Sequence, residues 1–81
     1  MRRMRLYFRM DCHLCEDMQS HLEELRRAWH FELELIDVDA ATQVIREGYQ
    51  QRVPLLEAVD GLCLSEYYLD EVTVLSYLQG A

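Results

Sequence analysis

The stretch RMDCHLCEDMQSHLEEL, residues 9–25, contains two cysteines three positions apart, where a strand-like segment gives way to a helical pattern. The apolar residues from this point on recur at steps of three and four, which is the spacing of one face of an amphipathic helix. These residues are Leu14, Met18, Leu22, Leu25 and Trp29. Cys12 therefore lies where the predicted helix begins and Cys15 lies one turn further on, so the two sulfurs share a face. The pair is compatible with a metal site, a structural disulfide or a redox-active dithiol.

Strand and helix patterns alternate around this stretch. Segments 4–9 (MRLYFR) and 31–37 (FELELID) are predicted strands, and the second alternates apolar and acidic residues in a way that suits a half-buried strand at a sheet edge. A short helix is predicted over 40–47 (AATQVIRE), with Asp39 as its N-cap and Gly48 at its end.

The C-terminal part of the chain predicts a β-hairpin followed by a helix. Segments 53–59 (VPLLEAV) and 62–65 (LCLS) flank the turn dipeptide DG, and Asp70 and Glu71 begin the last helix. The element order is β-α-β-α-β-β-α. Strands joined by a helix run parallel and hairpin strands run antiparallel. The sequence therefore predicts an α/β fold, a four-stranded mixed sheet with helices on both faces, in a single domain over residues 1–81.

Composition narrows the function classes. The 81 residues carry 15 acidic and 8 basic side chains, and the net charge of −7 disfavours binding to the phosphate backbone of a nucleic acid. The apolar runs are shorter than a membrane span and no signal-peptide core is visible. Three cysteines are too few for a secreted disulfide scaffold. We therefore expect a cytoplasmic protein, in which a close cysteine pair is catalytic or metal-binding rather than structural.

Helix-start position favours redox chemistry for the pair. Backbone N–H groups and the helix dipole stabilise a thiolate at Cys12, which makes it the predicted nucleophile, and Cys15 the resolving thiol. His13 could add to this stabilisation when protonated, or be an exposed residue of no special role. A zinc or iron–sulfur site needs four ligands, and no second close pair exists, so no metal is expected. The remaining ligand candidates are Cys63, His13, His21 and His30.

Taken together, these segments resemble the glutaredoxins of the thioredoxin-fold superfamily, and in particular the small bacterial glutaredoxin-like proteins with a C-H-x-C motif. The resemblance covers nearly the whole chain. It rests on YFRMDCHLC (7–15), DVD (37–39), RVPLL (52–56) and LDEVTVLSYL (69–78).

The resemblance implies roles for further residues. Pro54 would form a cis peptide bond and pack beside the cysteines, and Val53 would offer its backbone to a bound peptide or glutathione. Arg9 matches a lysine that helps to hold a glutathione carboxylate. The glycine pair that receives glutathione is replaced by Ser65 and Glu66, which narrows the approach and opposes an anion.

We therefore predict a bacterial thiol–disulfide oxidoreductase without a built-in cofactor. Its expected partners are disulfide-containing proteins or glutathione, the latter as a co-substrate, and a thioredoxin-reductase-type electron donor, but neither nucleic acid nor membrane. We expect a monomer. Cys63 is predicted to be a small core residue. Two alternatives stay open: a zinc or iron–sulfur binding module, and a redox-inactive adaptor domain.

Overall fold

A four-stranded mixed sheet lies at the centre of the fold in the computed structural model, which describes residues 2–80. Its strands lie in the order β2-β1-β3-β4, with β1 parallel to β2, and with β3 antiparallel to both β1 and β4. This arrangement confirms the predicted fold class. The elements are β1 (Arg2–Phe8), α1 (His13–Leu25), β2 (Phe31–Asp37), α2 (Gln43–Tyr49), β3 (Leu55–Ala58), β4 (Cys63–Glu66) and α3 (Glu71–Leu78).

Helices cover both faces of the sheet, as predicted. Side chains alternate along a strand, so neighbouring residues such as Leu6 and Tyr7 of β1 enter different apolar clusters. The larger cluster joins the sheet to α1 and α3, and it consists of Met4, Leu6, Met18, Leu22, Phe31, Leu56, Ala58, Leu64 and Val74. The smaller cluster joins the sheet to α2, and it consists of Tyr7, Val38 and Leu55 with Ile36, Ile45, Tyr49 and Val53 packed against it. None of the helices in residues 2–80 has the length and apolar character needed to cross a membrane.

The first half of the chain follows its predicted boundaries closely. β2 spans the predicted residues and lies at a sheet edge, where the acidic face of its alternating pattern is exposed. β1 begins at Arg2, two residues earlier than predicted, because it pairs in parallel with β2 from that residue onward. α1 ends at Leu25, before the predicted Trp29, because the backbone tightens there into bonds between residues three apart. Trp29 still packs against the larger cluster.

The prediction that Asp39 caps the second helix was wrong. α2 begins three residues later, and Thr42 is its N-cap, with the Thr42 hydroxyl accepting a hydrogen bond from the Ile45 N–H at 3.4 Å. Asp39 instead lies in a turn in which its own N–H donates to the carboxylate of Asp37 at 3.0 Å. Gly48 lies inside α2 rather than at its end.

The last helix begins at Asp70 and Glu71, as predicted, and Asp70 is its N-cap. Its Oδ1 accepts from the Thr73 N–H at 3.2 Å and its Oδ2 accepts from the Thr73 hydroxyl at 2.7 Å. These hydrogen bonds favour the ionised carboxylate and lower the pKa of Asp70. The Asp70 N–H in turn donates to the buried Ser65 hydroxyl at 2.8 Å, which fixes the start of α3 against β4.

The prediction that Cys63 belongs to the core was wrong. Cys63 is exposed on the edge strand β4. Its neighbour Leu64 fills the larger cluster, and alternation along the strand places Cys63 on the opposite face, paired with Glu57 of β3. Partial burial and the nearby Glu66 carboxylate raise the pKa of the Cys63 thiol, which makes it less reactive.

A buried carboxylate joins β1, β3 and α2. Glu57 is 6% exposed, and its two oxygens accept hydrogen bonds from the hydroxyls of Tyr7 and Tyr49, each at 2.9 Å. Arg5 supplies the compensating charge, with its Nη2 3.1 Å from Glu57 Oε1. The two tyrosine rings stack with centroids 4.0 Å apart. This network ties the short helix α2 to the sheet through polar contacts, where α2 itself contributes no fully buried residue.

We predict that Glu57→Gln destabilises the protein by about 2 kcal/mol, because it leaves the Arg5 charge without its partner and removes an acceptor from one tyrosine. The free energy of unfolding from urea titration measures the effect. Glu32→Gln is the matched control, since it breaks the exposed Arg3–Glu32 pair and should change stability too little to resolve. Equal effects of the two substitutions would contradict the role given to Glu57.

We further predict that the protein loses stability at alkaline pH, where Tyr7 of this hydrogen-bond network would ionise. Burial, followed by the hydrogen bond to Glu57, raises the pKa of Tyr7, whereas an unfolded tyrosine ionises near a pKa of about 10. The stability from this shift is complete below pH 10 and is lost as the pH rises above it towards the folded pKa. Tyr7→Phe should therefore lose less stability than the unsubstituted protein between pH 8 and pH 11, as urea midpoints would show. A parallel loss in both proteins would contradict this account.

Candidate functional site

Cys12 and Cys15 form a disulfide at the start of α1. Their Cα atoms are 5.2 Å apart. Cys12 is the N-cap of the helix, and its sulfur accepts a hydrogen bond from the Cys15 N–H at 3.2 Å. The Cys12 carbonyl accepts the first helical bond, from the Glu16 N–H at 3.1 Å. The Cys12 sulfur thus occupies the place of a capping oxygen, close to the positive end of the helix dipole.

The two sulfurs differ in access. Cys15 is buried, at 3% exposure, whereas Cys12 is half-buried and reaches solvent. Asp11, just before Cys12, has a φ of 57°, a left-handed conformation that aspartate tolerates better than most residues. This turn takes the chain from the end of β1 into α1 and leaves Cys12 at the rim. An incoming molecule can therefore approach Cys12 but not Cys15.

Pro54 lies at the same end of the sheet as the disulfide, where β1 ends and β3 begins. The chain leaves β1 at Phe8 towards Cys12. Because β3 runs antiparallel to β1, with Leu55 opposite Tyr7, Pro54 lies just before β3 at that same end. The Val53–Pro54 peptide bond is cis, as the resemblance implies. Val53 is half-buried and packs against the smaller cluster. The role of both residues in substrate binding stays a prediction.

Tyr67 fastens the segment around Pro54 to the end of β4. Its N–H donates to the Pro54 carbonyl at 2.7 Å, and its hydroxyl donates to the Gln51 carbonyl at 2.8 Å. Its φ of 67° is left-handed, which is uncommon for an aromatic residue. The two hydrogen bonds hold this conformation, and they place the Tyr67 ring beside the segment that precedes β3.

Arg9 and His13 both lie next to carboxylates. Arg9 Nε is 3.0 Å from the Asp39 carboxylate. The His13 side chain is 83% exposed, and its Nε2 is 3.4 Å from the Asp17 carboxylate. Binding of a glutathione carboxylate by Arg9 and stabilisation of a thiolate by His13 stay predictions.

Ser65 and Glu66 are both engaged within the protein. Ser65 is buried and accepts the Asp70 N–H described above, so its hydroxyl is committed to the start of α3. Glu66 forms an ion pair with Arg52, whose Nε lies 3.0 Å from Oε2. Arg52 therefore compensates the negative charge of Glu66, which was expected to oppose an anion such as glutathione. The sequence gives no signal for this pair, because the two residues are fourteen positions apart and belong to different elements.

A groove of about 250 Å³ lies between α1 and the segment that follows β4. We call it the tyrosine groove; it is lined by Leu14, Asp17, Met18, His21, Tyr67, Tyr68 and Leu69. Leu14 lies between the two cysteines in the sequence, so the groove begins within one helical turn of the disulfide. The helical spacing of the α1 residues could have indicated a shared face, but not which segment lies opposite.

A second hollow, of about 310 Å³, lies at the other end of the sheet. It is lined from the N-terminal halves of β1 and β2 and by Val59, which follows β3. These residues lie at the end of the sheet opposite Cys12. Of them, Arg3 is paired with Glu32, and Arg5 with Glu57. The hollow therefore belongs to no site around the disulfide.

No group of three or more histidine, cysteine, aspartate or glutamate side chains in residues 2–80 is arranged so that it could hold a metal ion. His13, which lies between the two cysteines, contacts the carboxylates of Glu16 and Asp17 along α1.

Comparison with known proteins agrees with this geometry. Two solved structures share the fold: protein Ne2328 from Nitrosomonas europaea, determined by NMR, and protein XcR50 from X. campestris, determined by X-ray crystallography. The first is 36% identical, with a TM-score of 0.82 over 95% of this chain and 91% of that one. The second is 28% identical, with a TM-score of 0.71 over 96% and 97%. No curated protein matched this chain. The family model of the glutaredoxin-like domain (DUF836) matches residues 3–79, and the chain therefore belongs to this family.

Proposed function

We propose that the protein is a thiol–disulfide oxidoreductase, with Cys12 as the nucleophile and Cys15 as the resolving thiol. One observation carries the proposal: a half-exposed cysteine caps a helix and is bonded to a buried cysteine one turn on. A capping position next to helical N–H groups stabilises a thiolate, which is the reactive form in disulfide exchange.

The reaction uses two electrons from the dithiol. The Cys12 thiolate attacks one sulfur of a client disulfide, forms a Cys12–client bond and releases the other client sulfur as a thiolate, which takes a proton from water. Cys15 then loses its proton to water, and its thiolate attacks the Cys12 sulfur. This step forms the Cys12–Cys15 bond and releases the second client thiol. The client disulfide is reduced and the protein is oxidised.

Pro54 and Val53 would align the client. A proline has no backbone N–H, so Pro54 leaves its corner of the sheet open, and Val53 can pair with an extended client backbone through its own N–H and carbonyl. Arg9 would bind a carboxylate of glutathione in competition with Asp39. His13, beside Cys12, would add positive charge when protonated.

The oxidised protein needs an external reductant, since we propose no resident cofactor. Glutathione as a co-substrate and a thioredoxin-reductase-type flavoprotein are the two donor classes. The proposed clients are disulfide-containing proteins or glutathione mixed disulfides in the bacterial cytoplasm, met by the protein as a monomer. The net charge of −7 argues against nucleic acid as a partner. Reduction by a flavoprotein reductase but not by reduced glutathione would select the second donor.

We predict a reversible two-electron couple between about −180 and −270 mV, the span from protein disulfide isomerase to thioredoxin. The measurement equilibrates the protein with glutathione buffers of known ratio and quantifies the Cys12–Cys15 disulfide after acid quenching. Metal content and visible absorption after anaerobic purification are recorded on the same sample. If no intramolecular disulfide forms at any ratio, or if the pair is found occupied by zinc or an iron–sulfur cluster, the proposal is wrong.

We predict opposite consequences for the two cysteines. In a Cys63→Ser background, which removes the exposed third thiol, Cys15→Ser should accumulate mixed disulfides with a model substrate because the resolving step is lost. Cys12→Ser should form none, because the buried Cys15 cannot be reached. Non-reducing mass spectrometry distinguishes the species. Cys63→Ser alone is the control and should reduce disulfides at the unsubstituted rate. Trapping through Cys15 would contradict the assignment.

A further inference from the structure

We propose that the tyrosine groove selects client proteins that carry an arginine or lysine about two to three residues from the cysteine that Cys12 attacks. This inference rests on the proposed function and names its substrate class. The occupant is an extended segment of the client, with its basic side chain in the groove.

The groove offers aromatic surface in a fixed position. Met18 forms a buried floor, at 2% exposure, whereas Tyr67 and Tyr68 are 41% and 72% exposed. Tyr67 is held by its hydrogen bonds to the carbonyls of Pro54 and Gln51, so its ring is placed before any client arrives. Aromatic faces bind guanidinium and ammonium groups, and the apolar floor suits the methylene stem of such a side chain.

The charge of the groove points the same way. Asp17 lines the groove, and its side chain is 60% exposed. Glu71 does not line the groove, but its Oε1 lies 3.8 Å from Nε2 of His21, which does. The lining includes neither arginine nor lysine. An acidic groove attracts a cationic side chain and repels an anionic one.

Helix geometry gives the position of the basic residue. Asp17 is five residues beyond Cys12 along α1, which corresponds to about 7 Å along the helix axis. An extended client advances about 3.3 Å per residue. For a client that lies along α1, a side chain about two to three residues from the attacked cysteine is therefore level with Asp17 on the helix axis.

The experiment compares three peptides that differ in one position. Each carries a single cysteine linked by a disulfide to 2-mercaptoethanol, with arginine, glutamine or glutamate two residues from the cysteine. Protein reduced beforehand is mixed with each peptide in a single turnover at pH 8 and low ionic strength, and oxidation is followed by acid quenching and mass spectrometry. Each rate is divided by the rate of the same peptide with dithiothreitol, which removes the effect of the charge on the peptide's own reactivity.

We expect the arginine peptide to react about tenfold faster than the glutamate peptide, with the glutamine peptide between them. Asp17→Asn should reduce this ratio to less than about threefold, and 0.5 M salt should do the same because it screens an exposed pair. Tyr68→Ala should lower the ratio independently by removing an aromatic face. Glu47→Gln removes one charge from α2, on the other face of the sheet, and should keep the full ratio.

Several outcomes would overturn the inference. One is equal corrected rates for the three peptides, while the peptides are still reduced; the proposed function would then stand without this selectivity. If the arginine-to-glutamate rate ratio is unchanged in both Asp17→Asn and Tyr68→Ala, the selectivity lies outside the groove. If the ratio falls equally in Asp17→Asn and Glu47→Gln, the selectivity comes from the net charge of the protein and not from the groove. A faster glutamate peptide, or preferred reduction of glutathione mixed disulfides, would reverse the proposed sign. If no disulfide is reduced, the proposed function fails, and this inference fails with it.

Discussion

Strand β1 is bonded on both sides, to β2 in parallel and to β3 in antiparallel register, and the remaining elements take their places from it. Backbone N–H and carbonyl groups that leave water must find partners, and a central strand finds them only if both neighbours are in place. Its consecutive residues Leu6 and Tyr7 point into opposite apolar clusters. One strand thereby fixes the side on which α1 and α3 pack and the side on which α2 packs.

The same constraint produces the site. β1 ends at the end of the sheet where β3 begins. The turn into α1 and the cis bond before Pro54 therefore lie together there, although they are about forty residues apart in the sequence. Packing of α1 against the sheet buries its inner face, which includes Cys15, and leaves its N-cap, Cys12, at the rim. The inequality of the two sulfurs is therefore a result of how the helix packs. It turns a symmetrical pair of residues into an attacking and a resolving thiol in the mechanism that we propose.

Polar contacts complete the less apolar face of the sheet. α2 is seven residues long and covers only part of this face. The buried Glu57 carboxylate joins β1 and β3 to α2 through Tyr7 and Tyr49, with Arg5 as its counter-charge. Such a network is favourable only when every member is satisfied, and in residues 2–80 no buried side-chain polar atom lacks a partner.

Much of the fold could be predicted because its signals are local. Alternation marked β2 to the residue, a three-and-four spacing marked α1, and the acidic pair Asp70 and Glu71 marked the start of α3. These patterns reflect which side chains share one face of a strand or helix and which polar residues begin a helix, and the local sequence controls both. The cap of α2 was predicted wrongly because several polar residues precede this helix, and Thr42 takes the position that Asp39 was expected to hold.

The sequence by itself determined the element order, the place of the cysteine pair at a helix start and the family to which the chain belongs. Only the tertiary structure decided that Cys63 is exposed, that Arg52 pairs with Glu66, and that α1 faces Tyr67 and Tyr68 across a groove. The physical reason is separation along the chain. Each of these features joins side chains from distant segments or depends on which strand lies at an edge, and both are fixed only when the sheet has assembled.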